Sequence, residues 1–258
     1  MAFALFVPDA AWAFNARMDR PLIEEIIPLS GVAHGTIELE NQEEQPAVLE
    51  IYLQDWEYLE GGSGDKLFSA PGSSPWSASG WISFYPQKLE LPAHGKGMVE
   101  YTIRVPADAR AGGHYSVMFF ESKLGRAPEN EQGVSVHYTG RLGSLIEVQV
   151  AGTVERTGDI TNVTVGAFKT DAPLTLGYIF RNTGNIAIRP KASFNIIDQT
   201  GRYFGRGEFK QLYTFPGRSG SVTTEWNGTL PSGNYTVVVT ADLGEGQAVV
   251  AEEPLTVP

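Results

Sequence analysis

The chain has 258 residues, with 30 acidic and 19 basic side chains, a net charge of −11 and no cysteine. That composition excludes disulfides and thiolate metal sites, and eleven carboxylates between Glu24 and Asp65 with no Lys or Arg among them would repel a nucleic-acid backbone. A hydrophobic fraction of 42% supports packed cores, while 29 glycines and 16 prolines suit a chain that reverses direction often, and no convincing helix is found.

In chain order, the apolar run Phe3 to Val7 is followed by Ala10 to Ala13, the small-x-small ending of a secretory cleavage site. Residues 1–13 therefore read as the remnant of a signal peptide and Phe14 as the mature start. No Lys or Arg precedes Arg17, so the basic opening of such a signal is missing. No segment reaches the ~20 apolar residues of a membrane span, and the protein is expected to be exported, periplasmic or extracellular.

Residues 14–29 read as an arm and a first edge strand. Ile37 and Leu39 then alternate with Glu38 and Glu40, and Leu49, Ile51 and Leu53 continue the period of two expected of strands wet on one face. The Gly, Ser and Pro-rich stretch 60–80 breaks the pattern and reads as a partly ordered surface loop, because it also holds Phe68 and Trp76. Val99, Tyr101, Ile103 and Val105 alternate again, and the apolar run Tyr115 to Phe120 suits a central strand buried on both faces. A polar loop, Ser122 to Gln132, leads to a long last strand, Gly133 to Gly152, with a bend expected at Gly140 or Gly143.

The plan then repeats. In the first half Pro92 opens a turn into an alternating strand, which ends at a proline before the step Gly113-His114-Tyr115; in the second, Pro216 opens the same sequence toward Gly233-Asn234-Tyr235. That order is expected of strands E and F in an immunoglobulin-like sandwich. The fold class is all-β: two tandem immunoglobulin-like β-sandwiches, residues 14–152 and 153–258. The short joining segment places them close together, with a cleft and a limited hinge between them.

Residues 17–150 resemble the N-terminal domain of periplasmic pilus-assembly chaperones, the PapD-like proteins. The resemblance is carried by Met18 to Pro21, Pro86 to Val99, Tyr115 to Lys123 and Gly133 to Ile146. The second domain looks like a generic bacterial extracellular immunoglobulin-like module, built on Arg181 to Asn185 and Pro231 to Tyr235. The resemblance implies a protein that lends a strand to an unfinished pilus subunit, with Val134, Val136 and Tyr138 on one face as the lent residues. The same Val-x-Val-x-Tyr spacing also suits an ordinary core strand. The family further anchors the subunit's terminal carboxylate with two cations. Ungapped, those positions fall on Leu22 and Gly143, with Arg20 and Arg141 two residues before each and so on the same strand faces. The acid excess of the first domain departs from what a carboxylate ligand requires.

Enzyme chemistry finds no support. His34, His94, His114 and His137 show no metal-ligand spacing, and the histidines flanking the strand before Tyr115 are expected in solvated turns. Nucleophile elbows, phosphate-binding loops and EF-like ligand spacings are absent. Carboxylate pairs such as Glu43 with Glu44 project apart into solvent. Trp56, Trp76, Trp81, Phe84 and Tyr85 could form a stacking platform for a sugar or peptide, but are expected to be core. No cofactor or metal is expected. The reading is a non-enzymatic binding protein that assists assembly of a surface fibre or pilus subunit by strand addition, and the alternative is a structural or adhesive surface protein.

Overall fold

The computed structural model describes residues 15–126 and 137–258, with backbone alone for 124–126 and 137–138. Within them the fold is all-β, with one 3₁₀ turn at Ser79–Trp81. The first half pairs two sheets. One comprises β1 (Ala16–Met18), β3 (Val32–Asn41), β8 (Lys96–Arg104) and β6 (Ile82–Tyr85), in the order β1-β3-β8-β6. The other runs β2 (Leu22–Ile27), β10 (His137–Val150), β9 (Gly113–Arg126), β4 (Ala47–Tyr58) and β5 (Lys66–Ser69), with β7 (Lys88–Leu91) also paired to β4.

The alternation read from the sequence is what fills the space between these sheets. Ile37 and Leu39 of β3, Leu49 and Ile51 of β4, and Val99, Tyr101 and Ile103 of β8 meet Ile146, Val148 and Val150 of β10 in one core. The second half repeats the arrangement with a sheet β11-β12-β15 (Gly158–Val165, Leu174–Asn182, Ser219–Trp226) facing β14-β13-β16-β17 (Tyr203–Glu208, Lys191–Asp198, Gly233–Gly244, Gln247–Val257). Tyr178, Phe180, Phe194 and Val237 are central to its core.

Both Gly-x-Tyr steps open a strand, β9 and β16, and they differ in use. Tyr235 donates its hydroxyl to the carbonyl of Pro231 at 2.8 Å, a local corner bond. Tyr115 turns outward, and its hydroxyl accepts the N–H of Ala187 from the second half at 2.6 Å. Strand β9 is buried on both faces as expected: Met118 and Phe120 enter the sandwich core, while Tyr115, Val117 and Phe119 lie on the outer face, with Tyr115 against the second half and Phe119 under Arg141.

Two local expectations are corrected. The register break of the β9–β10 pair lies between Tyr138 and Thr139, where β9 carries Leu124 as an extra residue, rather than at Gly140 or Gly143. Gly143 instead allows close packing, since a Cβ there would sit 2.9 Å from a ring carbon of Phe119. His114 is 3% exposed at the start of β9 rather than in a solvated turn.

Candidate partner-binding edge and interdomain face

The N-terminal arm changes sheets. Ala16–Met18 pairs with β3, the Asp19 carboxylate accepts the N–H of Glu38 at 2.8 Å, and after Pro21 the chain joins the opposite sheet as β2. Strand β2 runs parallel to β10 and covers only Leu145 to Val150. The N–H of Leu145 donates to the carbonyl of Pro21 at 2.9 Å, so odd-numbered residues of β10 turn their backbone groups to this side. Thr139, Arg141 and Gly143 continue that series beyond the end of β2. Among the described residues no strand pairs with this stretch of edge, while the opposite edge of β10 is taken by β9 as far as His137. A row of backbone donors and acceptors open on one side is the form of edge to which another strand adds.

Val134 and Val136 lie outside the described residues, as does the side chain of Tyr138, whose backbone is in β10 opposite Gly125. Arg141 lies on the outer face of the sheet. Its guanidinium sits 3.9 Å above the Phe119 ring and donates to the Tyr52 hydroxyl at 3.4 Å, which in turn donates to Glu121 at 2.6 Å. Burial, with Glu121 beside it, raises the Tyr52 ionisation against the pull of Arg141. The backbone carbonyl of Arg20 accepts the hydroxyl of Ser144 at 2.7 Å, which ties the sheet crossing to β10. The Arg20 side chain goes elsewhere: its charge acts on Tyr101 in the opposite sheet, opposing the burial that raises that phenol. The Tyr101 hydroxyl has no hydrogen-bond partner among the described residues. No contact among the described residues joins Arg20 to Arg141.

Beyond Arg141 the same outer face is covered by the second half. Phe215 packs edge-on to Trp56 at 5.6 Å and against Tyr115 at 4.5 Å, so a continuous aromatic cluster fills the interface. Trp56, fully buried, belongs to this interface rather than to a sandwich core. Of the other aromatics read as a possible platform, Trp76 borders the interface, Trp81 and Phe84 border the first core, and Tyr85 is exposed. They form no common surface.

At the rim of the cluster Arg189 pairs with Glu147 of β10, and its Nε donates to the Tyr58 hydroxyl at 2.9 Å. Burial pushes the Glu147 carboxyl up and Arg189 pulls it back. Burial also works against the charge of Arg189, which Glu147 and Tyr58 outweigh to leave its ionisation raised. This pair escaped sequence reasoning. The available signal was a lone acid at an outward position of the apolar strand Leu145 to Val150.

His114 is buried between two loops, with Nδ1 3.2 Å from the Ser77 carbonyl, Nε2 2.9 Å from the Arg110 carbonyl, and its ring 4.1 Å from Trp81. Burial lowers its pKa, and the two carbonyls oppose the shift. Among the described residues no group of three or more His, Asp or Glu side chains could hold a metal, and no helix is long and apolar enough to cross a membrane.

No protein-family model matches the chain, and no curated protein matches it. Among solved structures, a chain of the chaperone–tip adhesin complex of CFA/I fimbriae biogenesis matches with a TM-score of 0.50 at 11% identity, over 93% of this chain and 98% of its own. The fold is that of a PapD-like pilus chaperone. Two further solved structures are similar to it. The class 5 fimbriae chaperone CfaA has a TM-score of 0.48 at 13% identity, over 95% of this chain and 100% of its own. A chain of the CsuC–CsuE chaperone–tip adhesion subunit complex of Acinetobacter baumannii has a TM-score of 0.44 at 11% identity, over 94% and 98%. A PapD-like fold accounts for the two tandem sandwiches.

Proposed function

We propose that this chain is an exported, non-enzymatic chaperone-like protein that binds a pilus or surface-fibre subunit by strand addition along β10. The observation that carries the reading is the edge of β10 over Thr139 to Ser144, left open because β2 begins only at Leu22 opposite Leu145. The PapD-like fold, shared with a chain from a chaperone–adhesin complex, supports it. In this reading Val134, Val136 and Tyr138 face the subunit's apolar groove, and the incoming strand runs in line with β2 toward the sheet crossing at Arg20 and Pro21. Arg141, held flat on Phe119, and Arg20 are the cations offered to a terminal carboxylate.

The test is capture of a fibre subunit from the same envelope, co-expressed with wild type and with Val136→Asp. Loss of capture with an unchanged melting temperature is the expected result, because the charge would enter the partner's groove rather than this protein's core. A fall in melting temperature of the free variant would place Val136 in the core and favour the structural or adhesive alternative.

A further inference from the structure

The turn between β4 and β5 leaves the first half of the protein and lies against the second. Its base is closed by the N–H of Leu59 donating to the carbonyl of Asp65 at 2.8 Å, and its interior by the Ser63 hydroxyl donating to the Asp65 carboxylate at 2.8 Å. At its tip Gly61 forms a parallel bridge with Gly220 of β15. The carbonyl of Gly61 accepts the N–H of Ser221 at 3.1 Å, and that of Gly62 accepts the N–H of Tyr213 at 3.2 Å.

Strand β15 ends the three-stranded sheet β11-β12-β15, so its side away from β12 would otherwise be an open edge. The glycines of the turn are what permit the approach. Gly62 has φ of +93°, and a Cβ there would stand 2.2 Å from the Leu212 Cδ1 and 3.2 Å from the Gly220 Cα. Gly64 has φ of +90°, and its Cβ would meet the Tyr213 ring at 2.7 Å. From the other side, a Cβ on Gly220 would lie 3.0 Å from the Gly62 Cα. Arg218, just before β15, adds charge pairing to the same hairpin, at 3.8 Å from Glu57 and 4.0 Å from Glu60.

We infer that the Gly61 to Gly64 turn is a built-in brace: it bridges to the start of β15, fixes the angle between the two halves, and closes that end of the edge to other chains. The two effects share one cause at Ser221, whose N–H holds the Gly61 carbonyl and would otherwise be exposed on the edge. The brace stands on its own contacts whatever β10 binds.

The experiment compares Gly62→Val, Gly220→Ala and Gly61→Ala by hydrogen exchange, small-angle scattering and light scattering on the full chain. Gly61→Ala is the control for backbone strain without a clash, because alanine is strained at φ of +106° while its Cβ would meet nothing within 4 Å. In wild type the Ser221 and Tyr213 amides should be protected. Gly62→Val and Gly220→Ala should speed their exchange by about tenfold or more, broaden the interdomain distance distribution, and increase self-association through β15. Gly61→Ala should do this much less, and the amides of β16 should stay protected in all three, showing that the second half is folded. Should Gly62→Val fail to fold, Gly220→Ala settles the question from the opposite strand. Rapid exchange of Ser221 and Tyr213 in wild type, or unchanged protection and scattering in Gly220→Ala, would overturn the brace.

Discussion

Replacing Arg189 by alanine should weaken the protein in a pH-dependent way whose sign is set by Glu147. The substitution removes the ion pair and the bond to the Tyr58 hydroxyl, and leaves the Glu147 carboxyl, 12% exposed in the wild type, with only the weaker pull of Lys66. Breaking a fully buried pair costs about 3–5 kcal/mol. Here the Arg189 side chain is 37% exposed and the pair is partly screened, which brings the expected loss to about 2 kcal/mol at neutral pH. In the variant, burial acts on Glu147 against only the weaker pull of Lys66, and its pKa rises further above the usual 4.5. A carboxyl raised in the folded state makes that state bind its proton more tightly than the unfolded chain. Stability is then retained at low pH and lost as pH climbs from 4.5 through the folded value. Urea unfolding of wild type and Arg189→Ala at about pH 5 and about pH 7.5 measures this, and the penalty should be clearly larger at the higher pH. Glu147→Gln in the Arg189→Ala background should remove the pH dependence. A penalty under about 0.5 kcal/mol, or one larger in acid, would refute the account of this interface.

Phe215→Ala empties the centre of the interdomain cluster, where the ring is 1% exposed. It should cost about 3–4 kcal/mol in thermal or urea unfolding and red-shift the Trp56 emission. Burial lowers the His114 pKa, so as pH falls through 6.5 the unfolded chain takes up the proton first and stability declines. His114→Gln should flatten that acid-side loss in melting temperatures measured against wild type, and parallel profiles would count against the buried imidazole. N-terminal sequencing of exported protein should find Phe14 first, following the small-residue step Ala10 to Ala13; a mature protein retaining Met1 would refute that processing site.

Much of the fold was legible because burial on one face of a sheet writes itself into a period of two. Val99, Tyr101 and Ile103 of β8 could be assigned to a core from spacing alone, and the doubled Gly-x-Tyr step marked the second sandwich. The change of sheet at Arg20 and Pro21 was not legible. A run such as Ala16 to Ile27 has the same local pattern whether it forms one edge strand or two pieces in opposite sheets. The interface was hidden for another reason. Trp56 and Phe215 are 159 positions apart, and an aromatic buried between domains has the same local signature as one buried within a domain. His114 follows two glycines, which reads as a turn, yet the Ser77 and Arg110 loops close over it. Likewise, the Gly61 to Gly64 stretch reads as part of a partly ordered surface loop, and its seat against β15 is not visible until β15 is placed beside it. Of the site residues, Arg141 could be placed on its strand face by parity, but the turn of Arg20 toward Tyr101 depends on a crossing that sequence does not encode locally.

The most direct measurement of the strand-addition claim is amide exchange at Thr139, Arg141 and Gly143, the three residues of β10 whose backbone groups continue the side taken farther along by β2. In the free protein these amides should exchange rapidly while their even-numbered neighbours bonded to β9 stay protected. On binding a fibre subunit all three should become protected together. Protection already present in the free protein, or exchange unchanged in the complex, would contradict strand addition at this edge.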